Sequence, residues 1–71
     1  MKLEEFEKSI RERGYGIAAM NHYSLDSVDF TYCVILNKSK DRAFQSQAEK
    51  SEDVFESIYD QMIDFERENA R

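Results

Sequence analysis

The chain has no proline and no tryptophan, only two glycines, a single cysteine and a single histidine. One cysteine excludes a disulfide framework and a zinc site built from several thiolates. One histidine excludes any site that needs several imidazoles. With 41% hydrophobic and 35% charged residues among 71, the composition is nevertheless that of one small folded domain, residues 1–71, rather than of a disordered chain.

Long apolar runs are also missing. The longest one, Tyr32–Leu36, has five residues, against the roughly 20 that a membrane-spanning helix needs. The first residues, Met1–Glu5, become acidic at once and do not resemble a secretory signal. We therefore expect a soluble protein of the reducing cytoplasm that makes no membrane contact.

Negative charge is concentrated at one end of the chain. The net charge is −5, and residues 47–71 alone carry eight acidic and three basic side chains. Such an acidic segment disfavours DNA, RNA and anionic membranes as partners, and it favours a basic surface on another protein.

The 3.6-residue apolar period of an amphipathic helix occurs at both ends of the chain. Residues 2–13 place Leu3, Phe6 and Ile10 on one face, and Gly14 follows as the expected left-handed stop. This pattern predicts a short N-terminal helix.

A longer helix is predicted over residues 47–69. Two starts are open, the capping box Ser46–Glu49 and a later start at Ser51. The core stripe of this helix consists of Phe55, Ile58, Met62 and Phe65.

Between the helices, residues 15–23 and 28–37 are predicted to be antiparallel strands, because they are short, rich in aromatic and β-branched residues, and bounded by turn signals. Residues 24–27 between them predict a four-residue hairpin loop, which places Tyr23 opposite Val28.

Alternation divides the side chains of the second strand between two faces. The face predicted to turn toward the helices carries Val28, Phe30, Tyr32, Val34 and Leu36. No element is left to cover the other face, so it is a candidate surface for self-association. That surface consists of Met20, Cys33 and Ile35.

Residues 42–46 are a candidate third strand. A three-residue turn would place Phe44 opposite Val34 on the core face, and a four-residue turn would place it opposite Ile35 on the outer face. We favour the first, because burial of a phenylalanine is worth about 2 kcal/mol. The predicted fold is α+β: a short N-terminal helix, two or three antiparallel strands and a long C-terminal helix, with both helices on one sheet face.

An acidic row on the predicted C-terminal helix is the leading candidate for a binding site. Its carboxylates recur at every fourth residue, about 6 Å apart, at Glu52, Glu56, Asp60 and Asp64. Glu49 and Asp53 extend the row, Tyr59 lies beside it, and no lysine or arginine occurs between residues 51 and 66. The row predicts docking on a basic protein surface; the alternative is an ordinary solvated helix face.

The sequence contains no recognisable set of catalytic residues. His22 beside Asp29 is the one candidate acid–base pair, and no nucleophile or oxyanion donor accompanies it. Cys33 is interpreted as a packing residue, and Gly14-Tyr15-Gly16 lacks the strand-to-helix setting of a phosphate-binding loop. We therefore predict a binding protein that is not an enzyme and uses no metal or other cofactor.

The succession of a short N-terminal helix, a Gly-Tyr-Gly entry to a hairpin and an acidic C-terminal helix resembles the small acidic anti-defence proteins of phages and prophages, the anti-CRISPR proteins among them. The resemblance covers the whole chain at the level of its organisation. It implies an inhibitor in the bacterial host cytoplasm whose acidic surface occupies a nucleic-acid site on an effector nuclease complex. The residues that would face the complex are Glu52, Glu56, Asp60 and Asp64.

Three hypotheses follow for the function. The first is an inhibitor that masks the basic surface of a nucleic-acid-handling partner. The second, with the same electrostatics, is an antitoxin or immunity protein for a toxic nuclease. The third is a homodimeric structural or assembly module that pairs through the Cys33 face of the sheet or through the flank of the last helix.

Overall fold

A computed structural model describes residues 1–69 of the chain. Its elements are, in order, α1 (Leu3–Glu12), β1 (Tyr15–Leu25), β2 (Val28–Asn37), β3 (Ala43–Ala48) and α2 (Ser51–Asn69). The strands form one antiparallel sheet in the order β1-β2-β3, and both helices contribute to a single core on one side of it. The predicted α+β fold is confirmed, and the third strand that the sequence left open is present.

The first helix, α1, forms because its apolar residues share one stripe, from which Phe6 and Ile10 are buried in the core. Gly14 follows with φ of 84°, a left-handed conformation that glycine adopts readily because it has no Cβ. Its amide donates to the Arg11 carbonyl at 3.0 Å, and its carbonyl accepts from the Lys38 amide at 3.2 Å. Gly14 therefore ends the helix, as predicted. Its hydrogen bond to Lys38 joins the C-terminal end of α1 to the C-terminal end of β2.

The turn between β1 and β2 contains two residues, not the predicted four. Asp26 and Ser27 have φ of 52° and 66°, the two left-handed residues that characterise a type I′ turn. Such a turn is favoured in hairpins because its twist matches that of the flanking strands. The pairing beside the turn is displaced by two residues as a result, so that Tyr23 lies opposite Phe30 rather than Val28.

A β-bulge in β1 shifts the register a second time. The shift occurs between Ile17 and Ala19, which makes Ala18 the extra residue. One extra residue reverses the alternation of faces on its N-terminal side. Tyr15 and Ile17 consequently turn toward the helices, where Tyr15 is buried and Ile17 packs against the core.

The helices cover the sheet face that the sequence analysis left uncovered. Cys33 and Ile35 are fully buried there, and Met20 packs against the same core. The predicted self-association surface of Met20, Cys33 and Ile35 is therefore wrong. A period of two sorts the side chains of a strand into two sets, but it does not determine which set the helices cover.

Both the helices and the sheet contribute side chains to this core. Phe6 of α1 and Phe55 of α2 stack with their ring centroids 4.7 Å apart. The sheet contributes Thr31 and Cys33, both buried. Ile35 of the sheet is fully buried in the same cluster, so side chains of both sizes fill the space between the two layers.

The long helix, α2, begins at Ser51, the second of its two predicted starts, and not within residues 46–49. The reason is that β3 continues to Ala48, which pairs with Thr31, so the backbone of the capping box belongs to the sheet. The hydroxyl oxygens of Ser51 and Thr31 lie 2.9 Å apart. This hydrogen bond fixes the first turn of α2 against β2.

Phe44 in β3 lies opposite Ile35, not opposite Val34 as we favoured. It nevertheless packs against the core, because the covered face of β2 is the one that carries Ile35. Its ring centroid lies 5.7 Å from that of Tyr15 and 6.0 Å from that of Phe65. The predicted burial of Phe44 is right although the predicted pairing is wrong.

Truncation of the α2 core stripe is expected to unfold much of the population. Ile58 is fully buried, and Ile58→Ala should lower the free energy of unfolding by about 2–5 kcal/mol through lost burial and a residual cavity. Urea denaturation followed by circular dichroism measures the change. Leu3→Ala is the control, because Leu3 is 41% exposed and its truncation should cost less than about 0.5 kcal/mol. Equal losses would contradict the assigned core.

The positive φ of Ser27 in the β1–β2 turn leads to a second prediction about stability. Ser27→Gly should raise the free energy of unfolding by about 0.5–1 kcal/mol, because glycine removes the Cβ clash at positive φ. Ser39→Gly is the matched control in the next turn, where the chain does not require positive φ at that residue. Thermal unfolding compares the two variants, and a gain of the same size at Ser39 would remove the evidence for a type I′ turn.

Candidate functional site

The predicted acidic row lies on the side of α2 that faces away from the sheet. At about 100° per residue, the five carboxylates of the row that lie within α2 fall opposite the buried stripe of Val54, Phe55, Ile58 and Met62. Glu49, the sixth, precedes the helix. Every carboxylate of the row is exposed: those of Glu49, Glu52, Asp53, Glu56, Asp60 and Asp64. From Glu52 to Asp64 the row extends about 18 Å along the helix.

Few cations of residues 1–69 reach this row. The Met1 amino nitrogen lies 3.3 Å from Glu56 Oε2, and Arg67 Nη1 lies 3.8 Å from Asp64 Oδ1. Both pairs are largely exposed to solvent on the carboxylate side, where ion pairs contribute little. Within the described residues, the members of the row that take part in no ion pair are Glu49, Glu52, Asp53 and Asp60.

The helix dipole accounts for part of the row but not for its centre. Glu52 and Asp53 lie in the first turn of α2, where the exposed amides favour negative charge. Glu56 and Asp60 lie in the middle of the helix, where that effect has faded, and like charges four residues apart destabilise a helix slightly. The stability of α2 thus gives no reason for a carboxylate at Asp60, and at Glu56 the only structural partner within the described residues is the Met1 amino group.

Tyr59 belongs to the contact between the two helices. It is half-buried and packs against the core, and the Arg13 guanidinium lies 5.5 Å from the centroid of its ring. Arg13 is held in turn by Glu66, with 3.2 Å from Nε to Oε1, and by the Ser9 carbonyl at 3.2 Å. Tyr59 therefore borders the acidic row, as predicted, but one face of its ring is occupied by the contact with Arg13 and is not free to bind a partner.

The expected His22–Asp29 pair is not formed. The shifted register places His22 opposite Thr31, and His22 Nδ1 lies 3.1 Å from Thr31 Oγ1. The Ser24 hydroxyl donates instead to Asp29 Oδ1 at 2.5 Å. No acid–base pair therefore exists at this position.

Cys33 lies in the core, with no exposed surface. Burial raises the pKa of the Cys33 thiol, because a thiolate loses solvation in an apolar interior. Residues 1–69 contain no cluster of three or more histidine, cysteine, aspartate or glutamate side chains arranged to hold a metal ion. No helix in that range is long and apolar enough to cross a membrane.

The surface that sequence reasoning missed is the side of the sheet turned away from the helices, here called the outer sheet face. Its central row, from β2, is Val28, Phe30, Tyr32, Val34 and Leu36. The neighbouring strands add Ala19, Asn21, Tyr23 and Leu25 on one side and Ala43, Gln45 and Gln47 on the other. All five residues of the central row are partly exposed, so this face has no covering layer within the described chain.

Aromatic contacts and hydrogen bonds order this face. The rings of Tyr23 and Phe30 stack with centroids 5.3 Å apart. The Tyr23 hydroxyl donates to Gln47 Oε1 at 2.6 Å, and the Tyr32 hydroxyl donates to Gln45 Oε1 at 2.8 Å. The Asp26-Ser27 pair could have indicated the two-residue turn, since both residue types occur in tight turns. A displacement of two residues leaves each side chain on the same face, however, so no signal in the sequence identified which face stays uncovered.

Comparison of the chain with protein-family models, with curated proteins and with solved structures found no match.

The buried thiol predicts slow chemistry at Cys33. Only the thiolate reacts with iodoacetamide, and a raised pKa together with burial should slow alkylation at pH 8 at least about tenfold relative to the chain in urea. Because the folded-state pKa lies above the unfolded one, the thiol's contribution to stability is present at neutral pH and is lost as pH rises through the folded pKa. Equal alkylation rates in buffer and in urea would contradict the burial of Cys33.

Proposed function

We propose that this chain is a non-enzymatic binding protein that inhibits a nucleic-acid-handling partner by masking its basic surface. The observation that supports the proposal is the acidic row, in which five exposed carboxylates lie on the side of α2 away from the core and the exposed Glu49 precedes them. Two of them, Glu56 and Asp60, stand where they weaken the helix slightly. A role in binding would explain why carboxylates occur at these two positions, whereas helix stability does not explain it.

The form of the row suits a groove that normally holds nucleic acid. Such grooves carry lysine and arginine side chains that follow a phosphate backbone. A straight row of carboxylates about 6 Å apart on a rigid helix offers those cations an alternative anion without base or sugar contacts. Association would be steered by long-range attraction and weakened by salt.

The proposed partner class follows from charge and from the resemblance to anti-defence proteins. A chain of net charge −5 is repelled by nucleic acid, so it would act on the protein and not on its substrate. An effector nuclease complex of a bacterial defence system has the basic, nucleic-acid-binding surface that the proposal requires.

Capture of a partner is the first experiment. The tagged chain is incubated with bacterial lysate at low and at high salt, and the retained proteins are identified by mass spectrometry. We expect a basic nucleic-acid-binding protein that is lost as salt rises. The purified partner should then release a fluorescently labelled oligonucleotide when the chain is added. A partner that holds the chain and the oligonucleotide together would contradict masking.

Charge reversal at the centre of the row tests the site itself. Glu56→Lys/Asp60→Lys should weaken binding to the captured partner at least about hundredfold, or about 2.7 kcal/mol, because it replaces attraction with repulsion. The change in affinity is measured by titration at a fixed salt concentration.

A matched control separates the site from net charge. Glu4→Lys/Glu12→Lys makes the same change in charge on the exposed side of α1, outside the ion pairs formed by residues 1–69. It should reduce affinity only slightly. Equal losses in the two double variants would mean that overall charge, and not the acidic row, drives binding.

A further inference from the structure

The outer sheet face carries the larger apolar side chains of β2. The covered face has Thr31, Cys33 and Ile35, whereas the outer face has Phe30, Tyr32, Val34 and Leu36 in the same span. A sheet normally buries its more apolar face and exposes the other. Here the larger set stays partly exposed, which is typical of an interaction surface.

The end of the hairpin makes the same point independently. β3 stops at the pairing of Ala48 with Thr31, and Thr31 pairs with His22, so residues 23–30 form a two-stranded arm beyond the third strand. Nothing in the described chain requires one side of this arm to be apolar. Its outer side nevertheless carries Tyr23, Leu25, Val28 and Phe30, whereas its helix side carries Ser24 and Asp29. Leu25 is 60% exposed and Tyr23 38% exposed.

Charge indicates what covers this face. The outer sheet face has no aspartate, glutamate, lysine or arginine, whereas the acidic row lies on the far side of the helix layer. A basic partner therefore gains no electrostatic attraction here. Two copies of an acidic chain can meet through this face because their negative charges stay on the outermost surfaces of the pair.

The area of the face is sufficient for a weak dimer. With strands about 4.8 Å apart and a rise of about 3.3 Å per residue, two ten-residue strands and a shorter third cover a footprint of roughly 400 Å² per copy. The accessible area of side chains standing on the sheet exceeds this footprint, which brings the pair to about 1,000 Å², the lower end for a specific interface.

We propose that the outer sheet face binds the same face of a second copy of this chain. The two sheets would stack as in a β-sandwich, with their strands about 30° from parallel, and the helices would lie outside on both sides. Such a contact is two-fold symmetric, so each copy uses the same residues. Tyr32 lies near the middle of β2, close to the symmetry axis, and the Tyr23–Phe30 stack supplies aromatic anchors on either side.

Sedimentation equilibrium of the untagged chain is the primary test. As the chain concentration is raised from about 1 µM to about 1 mM, we expect the average mass to rise from that of the 8.4 kDa chain toward twice that value. A weak interface dimerises only at the higher concentrations. A chain that remains monomeric over the whole range would overturn the proposal.

Charge placed at Tyr32 tests the face and the symmetry together. Tyr32→Asp should weaken dimerisation at least tenfold, because two carboxylates would meet near the axis, and Tyr32→Lys should do the same. An equimolar mixture of these two variants should dimerise again, because unlike charges then meet. A dimer unaffected by either variant, or a mixture that stays monomeric, would contradict contact through this face.

Further variants guard against a folding artefact. Leu25→Asp changes a largely exposed residue of the arm, outside the core, and should weaken the dimer while the circular dichroism spectrum is unchanged. Leu3→Asp places the same charge on an exposed leucine of α1 and should leave the dimer intact. Glu56→Lys/Asp60→Lys should also leave it intact, so that failure of the dimer and failure of the proposed function are separate results.

Discussion

The packing of α2 against the Cys33 face of the sheet is the contact on which both exposed surfaces of this protein depend. Val54, Ile58 and Met62 have no exposed surface in that contact. Once they face the sheet, the helical period directs Glu56 and Asp60 to the opposite side. Once Cys33 and Ile35 face the helix, alternation along β2 directs the larger apolar side chains outward.

The resulting molecule has two surfaces of opposite character on opposite sides. The helix side is acidic and suited to a partner that attracts it from a distance. The outer sheet face is apolar and uncharged, suited to a contact that depends on shape and burial. Their separation means that one surface can be occupied without hindering the other, and a face-to-face pair would present two acidic rows to a multivalent partner.

The small size of the chain is a thermodynamic reason for the proposed dimer to form. A chain of about 70 residues buries only about 60% of its unfolded surface, so its single core supplies a small margin of stability. Coverage of the outer sheet face would remove further apolar area from water, and any ligand that binds only the folded chain stabilises it by mass action. The described residues span 45 × 20 × 19 Å, a long shape for so short a chain that leaves the hairpin arm with little cover of its own.

The sequence by itself determined four of the five elements, because each depends on local patterns: the apolar periods of α1 and α2, the stop at Gly14, and the alternation along β2. It left open the third strand and the start of α2. It also determined the exposed acidic row, since a helix whose apolar stripe is buried must expose the residues opposite. Only the tertiary structure decided which face of the sheet is covered. That choice depends on the bulge at Ala18, on the resulting placement of Tyr15 and Ile17 toward the helices, and on the packing of α2 over Cys33 and Ile35. None of these follows from the alternation alone, because a period of two is the same pattern whichever face is turned inward.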